Sequence, residues 1–271
     1  HGWSLTDHAG GDLARARSFV GQDLDALAIA AHGYAGGLVV PALGPLSLAA
    51  RVDLARGDRL LADPAAVRDV ADSLAAGLAE HLTALVRAVP GASPRVLLHE
   101  PLLAQAVAGA VPTFSGRDRL RAIEGPVAAE RIGAVVAAAR AVGAAGVTVH
   151  VGSGWGVLAT ATASGADAVG LEVRAVTEPG WERVAEVVEG GTGLWAQLPQ
   201  ERLSRHAEPD AADHARSLVE PWRRVGLPTT LLAETVLVAG RPDGPWTPDG
   251  ARAALNDVIR AARVVVDRAL A

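Results

Sequence analysis

Short apolar runs alternate with longer amphipathic segments along this chain. Each short run is rich in valine and leucine and is apolar almost without interruption, which is typical of parallel strands buried on both faces. The pattern predicts strands over residues 38–42, 96–99, 147–151, 168–173, 193–198 and 229–236.

Most of the segments between these strands begin with a proline or a capping residue and end near glycine, which are signals that start and stop helices. Asp63 before Pro64 predicts one helix start, and Pro90-Gly91 predicts its end. The same signals predict helices over 126–143, 177–190, 210–226 and from 247 onward. In the last helix, the spacing predicts one buried face formed by Leu255, Val258, Ile259, Val265 and Val266.

The alternation of strands and helices predicts an α/β fold with parallel strands and right-handed crossovers. An open doubly wound sheet and a (β/α)8 TIM barrel both fit this order. No glycine fingerprint follows the first strand, which counts against a dinucleotide-binding sheet, and polar residues follow several different strands, as on the C-terminal face of a barrel. The sequence therefore favours a single barrel domain over residues 1–271. Because six strands cannot close a barrel of eight, we expect the first two strands upstream of residue 1.

Composition narrows the classes of function. The chain has 271 residues and a net charge of −5, so it offers no basic field for a nucleic-acid backbone. Cysteine is absent, which excludes disulfides, iron–sulfur clusters and thiol nucleophiles. The uncharged stretch 141–166 is long enough to span a bilayer, but its glycines and one histidine favour a helix end, a strand and a turn. We therefore expect a cytoplasmic protein that binds neither nucleic acid nor membranes.

Several polar residues lie at the ends of the predicted strands. Glu100 could bind a substrate amine, act as an acid or base, or pair with an arginine for structure. His150 is either a site residue or a core histidine, and Glu172 is either a site residue or part of an ion pair. Glu234 lies two residues before Val236, so the two side chains are expected on the same side of their strand.

The ends of these strands carry a family resemblance through short motifs that occur in a fixed order. The motifs are His1-Gly2-Trp3 with Asp7, Leu43-Gly44-Pro45-Leu46-Ser47, Leu98-His99-Glu100-Pro101, His150-Val151-Gly152, 167–172 and 235–240. In this order they resemble the catalytic C-terminal domain of cobalamin-independent methionine synthase. The resemblance covers nearly the whole chain and is closest to the short, single-domain actinobacterial relatives of that enzyme.

The resemblance implies a barrel and a zinc-dependent reaction of methionine biosynthesis. Members of the family transfer a methyl group from 5-methyltetrahydrofolate to the homocysteine thiol, and a histidine, two cysteines and a glutamate hold the zinc. His150 and Glu172 match the histidine and glutamate ligands, whereas Gly152 and Val236 stand at the two cysteine positions. The family's zinc site is therefore retained only in part in this chain.

The same resemblance implies a small-molecule ligand, either an amino acid thiol or a folate-like compound. The residues it places around that ligand are Trp3, His99, Glu100 and Glu234. It assigns no catalytic residue, and the oligomeric state stays open.

Three hypotheses follow for the function. The first is a diverged relative of these methyltransferases that keeps the barrel and a small-molecule pocket but has lost zinc–thiolate methyl transfer. Such a protein either binds a ligand, for example in regulation, or catalyses an altered reaction. The second is a rebuilt metal site with nitrogen and oxygen ligands, formed by His99, His150, Glu172 and Glu234. The third is a metal-free reaction like that of the related uroporphyrinogen decarboxylase barrels.

Overall fold

The computed structural model describes residues 3–6, 8, 10–198, 211–240 and 247–270. The strands in these ranges are β1 (Trp3–Ser4), β2 (Gly36–Leu43), β3 (Val52–Asp53), β4 (Ala92–His99), β5 (Gly146–His150), β6 (Ala168–Glu172), β7 (Gly193–Leu198) and β8 (Val236–Ala239). The helices are α1 (Gly11–Ala30), α2 (Pro45–Ala49), α3 (Pro64–Ala88), α4 (Leu103–Val107), α5 (Gly125–Ala141), α6 (Leu158–Ala163), α7 (Glu178–Glu189), α8 (Ala211–Arg224), α9 (Thr229–Ala233) and α10 (Pro248–Leu270).

Six of the strands form one parallel sheet in the order β2-β4-β5-β6-β7-β8, while β1 and β3 form a separate parallel pair. The order of the six strands never reverses along the sheet, so the sheet lacks the switch point of a doubly wound fold. The sheet is a curled half-barrel of the α/β class and resembles part of a TIM barrel. The described residues do not close a barrel, because β2 and β8 are the two edges of this six-stranded sheet.

The two faces of the sheet have different surroundings. On one face, alternate residues such as Val96 and Leu98 of β4 and Val149 of β5 join the helices in the main hydrophobic core. On the other, concave face, a smaller cluster contains Leu97, Ala168 and Trp195. Successive side chains of a strand point to opposite faces. The residues on the concave face are therefore identified by alternation from the members of this smaller cluster and by the register of neighbouring strands.

Most of the predicted helices and strands are confirmed. The strands predicted at 38–42, 96–99, 147–151, 168–173 and 193–198 lie within one or two residues of β2, β4, β5, β6 and β7, except that β4 begins four residues earlier. Asp63 accepts hydrogen bonds from the amides of Ala65 and Ala66, so it is the N-cap of α3 as predicted. Asp210, the predicted start of another helix, lies outside the described residues.

The prediction of a strand over residues 229–236 is wrong. Residues 229–233 form the short helix α9, and β8 begins only at Val236. A short apolar run does not distinguish a buried strand from one turn of buried helix, and Pro228 immediately precedes this turn. The helix α1 was not predicted at all, and it has no buried residue.

The buried face predicted for α10 is also wrong in part. Leu255, Ile259 and Val266 are 58%, 49% and 40% exposed, whereas Ala254 and Val265 are buried. The helix has two neighbouring apolar strips with helical spacing, and the strip that contains small alanines packs closely on the sheet and on neighbouring helices.

No helix within the described ranges is both long and apolar enough to cross a membrane.

Candidate functional site

Polar side chains from neighbouring strands line the concave face near the carboxyl end of the sheet. His99 of β4 is in register with His150 of β5, which is in register with Gly170 of β6. Glu172, two residues beyond Gly170 on the same side of β6, is in register with Gln197 of β7. We call His99, His150, Glu172 and Gln197 the concave-face row.

His150 occupies space that a glycine leaves open. Its side chain is only 2% exposed. A β-carbon built on Gly170 would overlap Cδ2 of the His150 ring, so the ring leans across β6 at the position of the missing side chain. The glycine at position 170 is therefore required for the orientation of the histidine.

The two ring nitrogens of His150 have different surroundings. The amide of Gly152 donates a hydrogen bond of 3.2 Å to Nδ1, so Nδ1 is unprotonated and a neutral ring carries its proton on Nε2. Nε2 is buried and has no hydrogen-bond partner among the described residues. Burial, with a smaller contribution from charge repulsion by His99, lowers the pKa of His150 from 6.5 to about 4. The ring is therefore neutral at pH 7 and presents an N–H donor.

His99 lies beside His150 at the same level of the sheet. Their ring centroids are 5.5 Å apart, and the ring planes are tilted by 53°. His99 is partly exposed, so of the two imidazoles it is the one that solvent reaches. The structure thus brings together two of the histidines that the sequence singled out.

Glu172 and His150 lie on either side of Gly152. The amide of Glu172 donates to the carbonyl of Gly152 at 2.9 Å, and a β-carbon on Gly152 would lie 3.8 Å from Oε1 of Glu172. Gly152 has a φ of +60°, a conformation that other residues adopt only with strain. This left-handed turn is what directs its amide at Nδ1 of His150.

Glu100 lies on the opposite face of β4 and is fully buried. Its Oε1 accepts from the amide of Leu46 at 2.9 Å, and its Oε2 accepts from the amide and the hydroxyl of Ser47 at 2.7 and 2.6 Å. A side chain on Gly44 would overlap the carboxylate. Burial raises the pKa of Glu100 from 4.5 to about 7, although the three hydrogen bonds oppose this shift. The carboxylate therefore holds the first turn of α2 in place.

Ser47 extends this connection to the next loop. Its hydroxyl oxygen accepts from the amide of Leu102 at 3.0 Å while its proton goes to Glu100. The sequence motif contained Ser47, but nothing in the sequence indicated that it pairs with Glu100. The pairing joins residues 53 positions apart along the chain, so only the fold reveals it.

The remaining residues predicted for the site lie elsewhere. Trp3 is 75% exposed and is in register with Val52 in the two-stranded sheet. Glu234 is exposed at the end of α9, so the expectation that it shares one side of a strand with Val236 is wrong. Within the part of the chain that the structure describes, no three histidine, aspartate or glutamate residues form a group suited to a metal ion.

Two residues of this region gave weaker signals in the sequence. Gln197 falls within the strand predicted over 193–198, but its register with Glu172 follows only from the pairing of β6 with β7. Trp195 is buried on the concave face, in register with Gly170 and Val236. Val236 therefore lies three strands from β5, at a separation of roughly 14 Å along the sheet for a strand spacing of about 4.8 Å.

Fold and site together define a class of protein: an α/β protein with a parallel half-barrel sheet and a polar row on its concave face. No protein-family model matches the chain, and no curated protein matches it. Among solved structures, it is similar to a protein described as "putative lyase/mutase from Burkholderia cenocepacia J2315". The two chains are 17% identical with a TM-score of 0.36, and the match covers 89% of this chain and 88% of the other.

Proposed function

We propose that this chain is a diverged member of the cobalamin-independent methionine synthase family, and that its concave face binds a small molecule without zinc–thiolate chemistry. His150 and Glu172, at the positions of the family's histidine and glutamate ligands, belong to the concave-face row and lie on either side of Gly152. Support for the kinship comes from the order of the motifs and from the sequential parallel half-barrel.

The residues at the family's metal position do not fit zinc. A histidine ligand binds zinc through an unprotonated nitrogen and usually donates its other N–H to an acceptor. In His150 the unprotonated nitrogen is already engaged by the Gly152 amide, and the other nitrogen carries the proton. Gly152 has no side chain and Val236 is apolar, so neither replaces a thiolate. We derive no step of the function through a metal.

One observation supports binding of a small molecule most directly. The buried Nε2–H of His150 has no acceptor among the described residues. An unsatisfied buried donor costs about 1–3 kcal/mol, and a ligand oxygen that accepts from it removes this cost. Glu172 and Gln197 are partly exposed beside it and can contact other polar atoms of the same ligand.

Elemental analysis of protein purified from zinc-supplemented medium tests the proposal. We expect well under one equivalent of zinc, with no difference between the wild type and His150→Ala, and no methyl transfer from 5-methyltetrahydrofolate to homocysteine. One tightly held equivalent of zinc that disappears in His150→Ala would contradict it. A panel of small carbonyl compounds, screened by ligand-observed NMR, should show binding that His150→Ala weakens.

A further inference from the structure

Helix α10 carries a second apolar strip that the described residues leave uncovered. We call Leu255, Ile259, Ala262 and Val266 the exposed strip. Its three larger side chains are between 40% and 58% exposed, whereas the other apolar side of the helix packs on α8, α9 and β8. A surface helix needs only one apolar side to pack on its own core, so a contiguous second one indicates an interaction surface.

The spacing of the exposed strip is that of a seam between two helices. Its members follow one another at intervals of four, three and four residues, which keeps them on one side of the helix. In two-stranded helix pairs, this spacing defines two alternating seam positions, one of which favours leucine and the other β-branched residues. Leu255 and Ala262 occupy the first position, and Ile259 and Val266 occupy the second.

A second copy of α10 complements the strip when the two helices run antiparallel. A two-fold axis between residues 260 and 261 sets Leu255 opposite Val266 of the other copy, and Ile259 opposite Ala262 of the other copy. Each contact then pairs a larger side chain with a smaller one, which is how facing side chains interdigitate. Because the arrangement is symmetric, each contact occurs twice.

Charges beside the strip favour this antiparallel orientation. Arg252 lies seven residues before Ile259, so a parallel pair would set Arg252 against its own counterpart. The antiparallel pair instead brings Arg252 to the turn of the other helix that carries Asp267, and both side chains are exposed. Arg252 also pairs with Asp249 of its own helix, but this local pair is the same in either orientation. Opposite charges therefore meet only in the antiparallel pair.

We propose that the exposed strip is the interface of a homodimer in which α10 packs antiparallel against α10 of a second copy. Val265, on the buried side of the same helix, belongs to the core between the sheet and its helices, so the interface is separate from the concave face. One helix pair buries less than the roughly 1,200 Å² of a typical stable interface. We therefore expect a weak dimer, with a Kd of roughly 10–100 µM.

Sedimentation velocity of the purified full chain, at concentrations below and above this range, tests the proposal. We expect the wild type to shift from monomer to dimer as the concentration rises. Ile259→Asp places a charge in the seam of each copy and should weaken dimerisation roughly 100-fold or more. Val127→Asp, which changes an exposed valine of α5, is the matched control and should dimerise as the wild type does.

Two results would overturn the proposal: a wild type that stays monomeric at every concentration, or Ile259→Asp that dimerises as well as the wild type. If circular dichroism shows that Ile259→Asp does not fold, Leu255→Gln replaces it, with the same expected loss and the same overturning result.

Cross-linking tests the orientation of the two helices. The chain has no cysteine, so Leu255→Cys and Val266→Cys each introduce a single thiol. Under mild oxidation, a mixture of the two variants should form disulfide-linked heterodimers, and neither variant alone should cross-link to itself. Variants that cross-link only to themselves would show a parallel pair and overturn the antiparallel interface. A mixture that forms no cross-link would overturn it as well.

Discussion

The ring of His150 fills the space above Gly170, where any side chain would collide with it. The contact links a residue at the end of β5 to the middle of β6, and it orients the donor that the concave face presents. Its consequence can be measured directly as a change in stability.

Gly170→Ala should therefore destabilise the protein. The added methyl group must displace the His150 ring or the backbone, and overpacking of this kind costs about 1–3 kcal/mol. Gly77→Ala is the matched control, because it lies in the interior of α3 with open space around it and should stabilise the protein by up to about 1 kcal/mol. Urea unfolding measures both. Equal stabilities of the two variants would show that the His150 ring does not occupy this space.

Glu100 should matter more for stability than an exposed glutamate. Glu100→Ala leaves the amides of Leu46 and Ser47 buried without acceptors, so we expect a loss of roughly 2–4 kcal/mol. Ser47→Ala removes one hydroxyl that links Glu100 to Leu102, and we expect a loss of about 1–2 kcal/mol. Glu182→Ala on α7 should change the free energy of unfolding by less than about 0.5 kcal/mol. Chemical denaturation that gave all three variants wild-type stability would disprove the role of this connection.

Burial shifts the pKa values of Glu100 and His150 in opposite directions, and both shifts affect stability. The pKa of Glu100 is raised from 4.5 to about 7, so the folded protein binds this proton more tightly and the free energy of unfolding falls as the pH rises from 4.5 to 7. The pKa of His150 is lowered from 6.5 to about 4, so the free energy of unfolding falls as the pH drops from 6.5 to 4. Each effect amounts to roughly 3 kcal/mol at most.

These two contributions should offset each other in the wild type between pH 4.5 and 6.5. Glu100→Gln should lose stability more steeply than the wild type on acidification, because only the histidine effect remains. His150→Phe should gain stability relative to the wild type as the pH drops from 7 to 4.5. Urea titrations at a series of pH values compare the three proteins, and parallel curves would refute the assigned shifts.

Cysteines placed at positions 152 and 236, the two cysteine positions of the family proposed for this chain, should not create a zinc site. In Gly152→Cys/Val236→Cys, one thiol lies on a turn whose φ of +60° disfavours any side chain, and the other lies three strands away on β8. The tautomer of His150 also leaves no free nitrogen for the metal as long as the amide of residue 152 donates to it. Elemental analysis after dialysis should find well under one equivalent of zinc. Equimolar zinc that a further His150→Ala change removes would show that the turn and tautomer can be rearranged.

Much of the fold could be predicted from the sequence because local patterns carry it. Asp63 before Pro64 specifies a helix start because its side chain accepts hydrogen bonds from amides of the first turn. The mainly apolar run from Val147 to Val149 predicts a buried strand, and this run lies in β5. The run from Thr229 was misread because one turn of buried helix has the same composition as a short strand. The prediction of a buried face on α10 was wrong in part because the helix has two apolar strips. Which strip is buried depends on the elements packed against the helix.

Local patterns of apolar and polar residues specify the alternation of strands and helices, and they place His150 and Glu172 at the ends of consecutive strands. Long-range packing specifies that Glu100 faces the helices while His99 faces the concave side, and that Gly152 sets the tautomer of His150. The reason is physical. Periodicity follows from the chemistry of neighbouring residues, whereas hydrogen bonds between distant loops and the space left by a glycine depend on strand register, which many distant contacts set together.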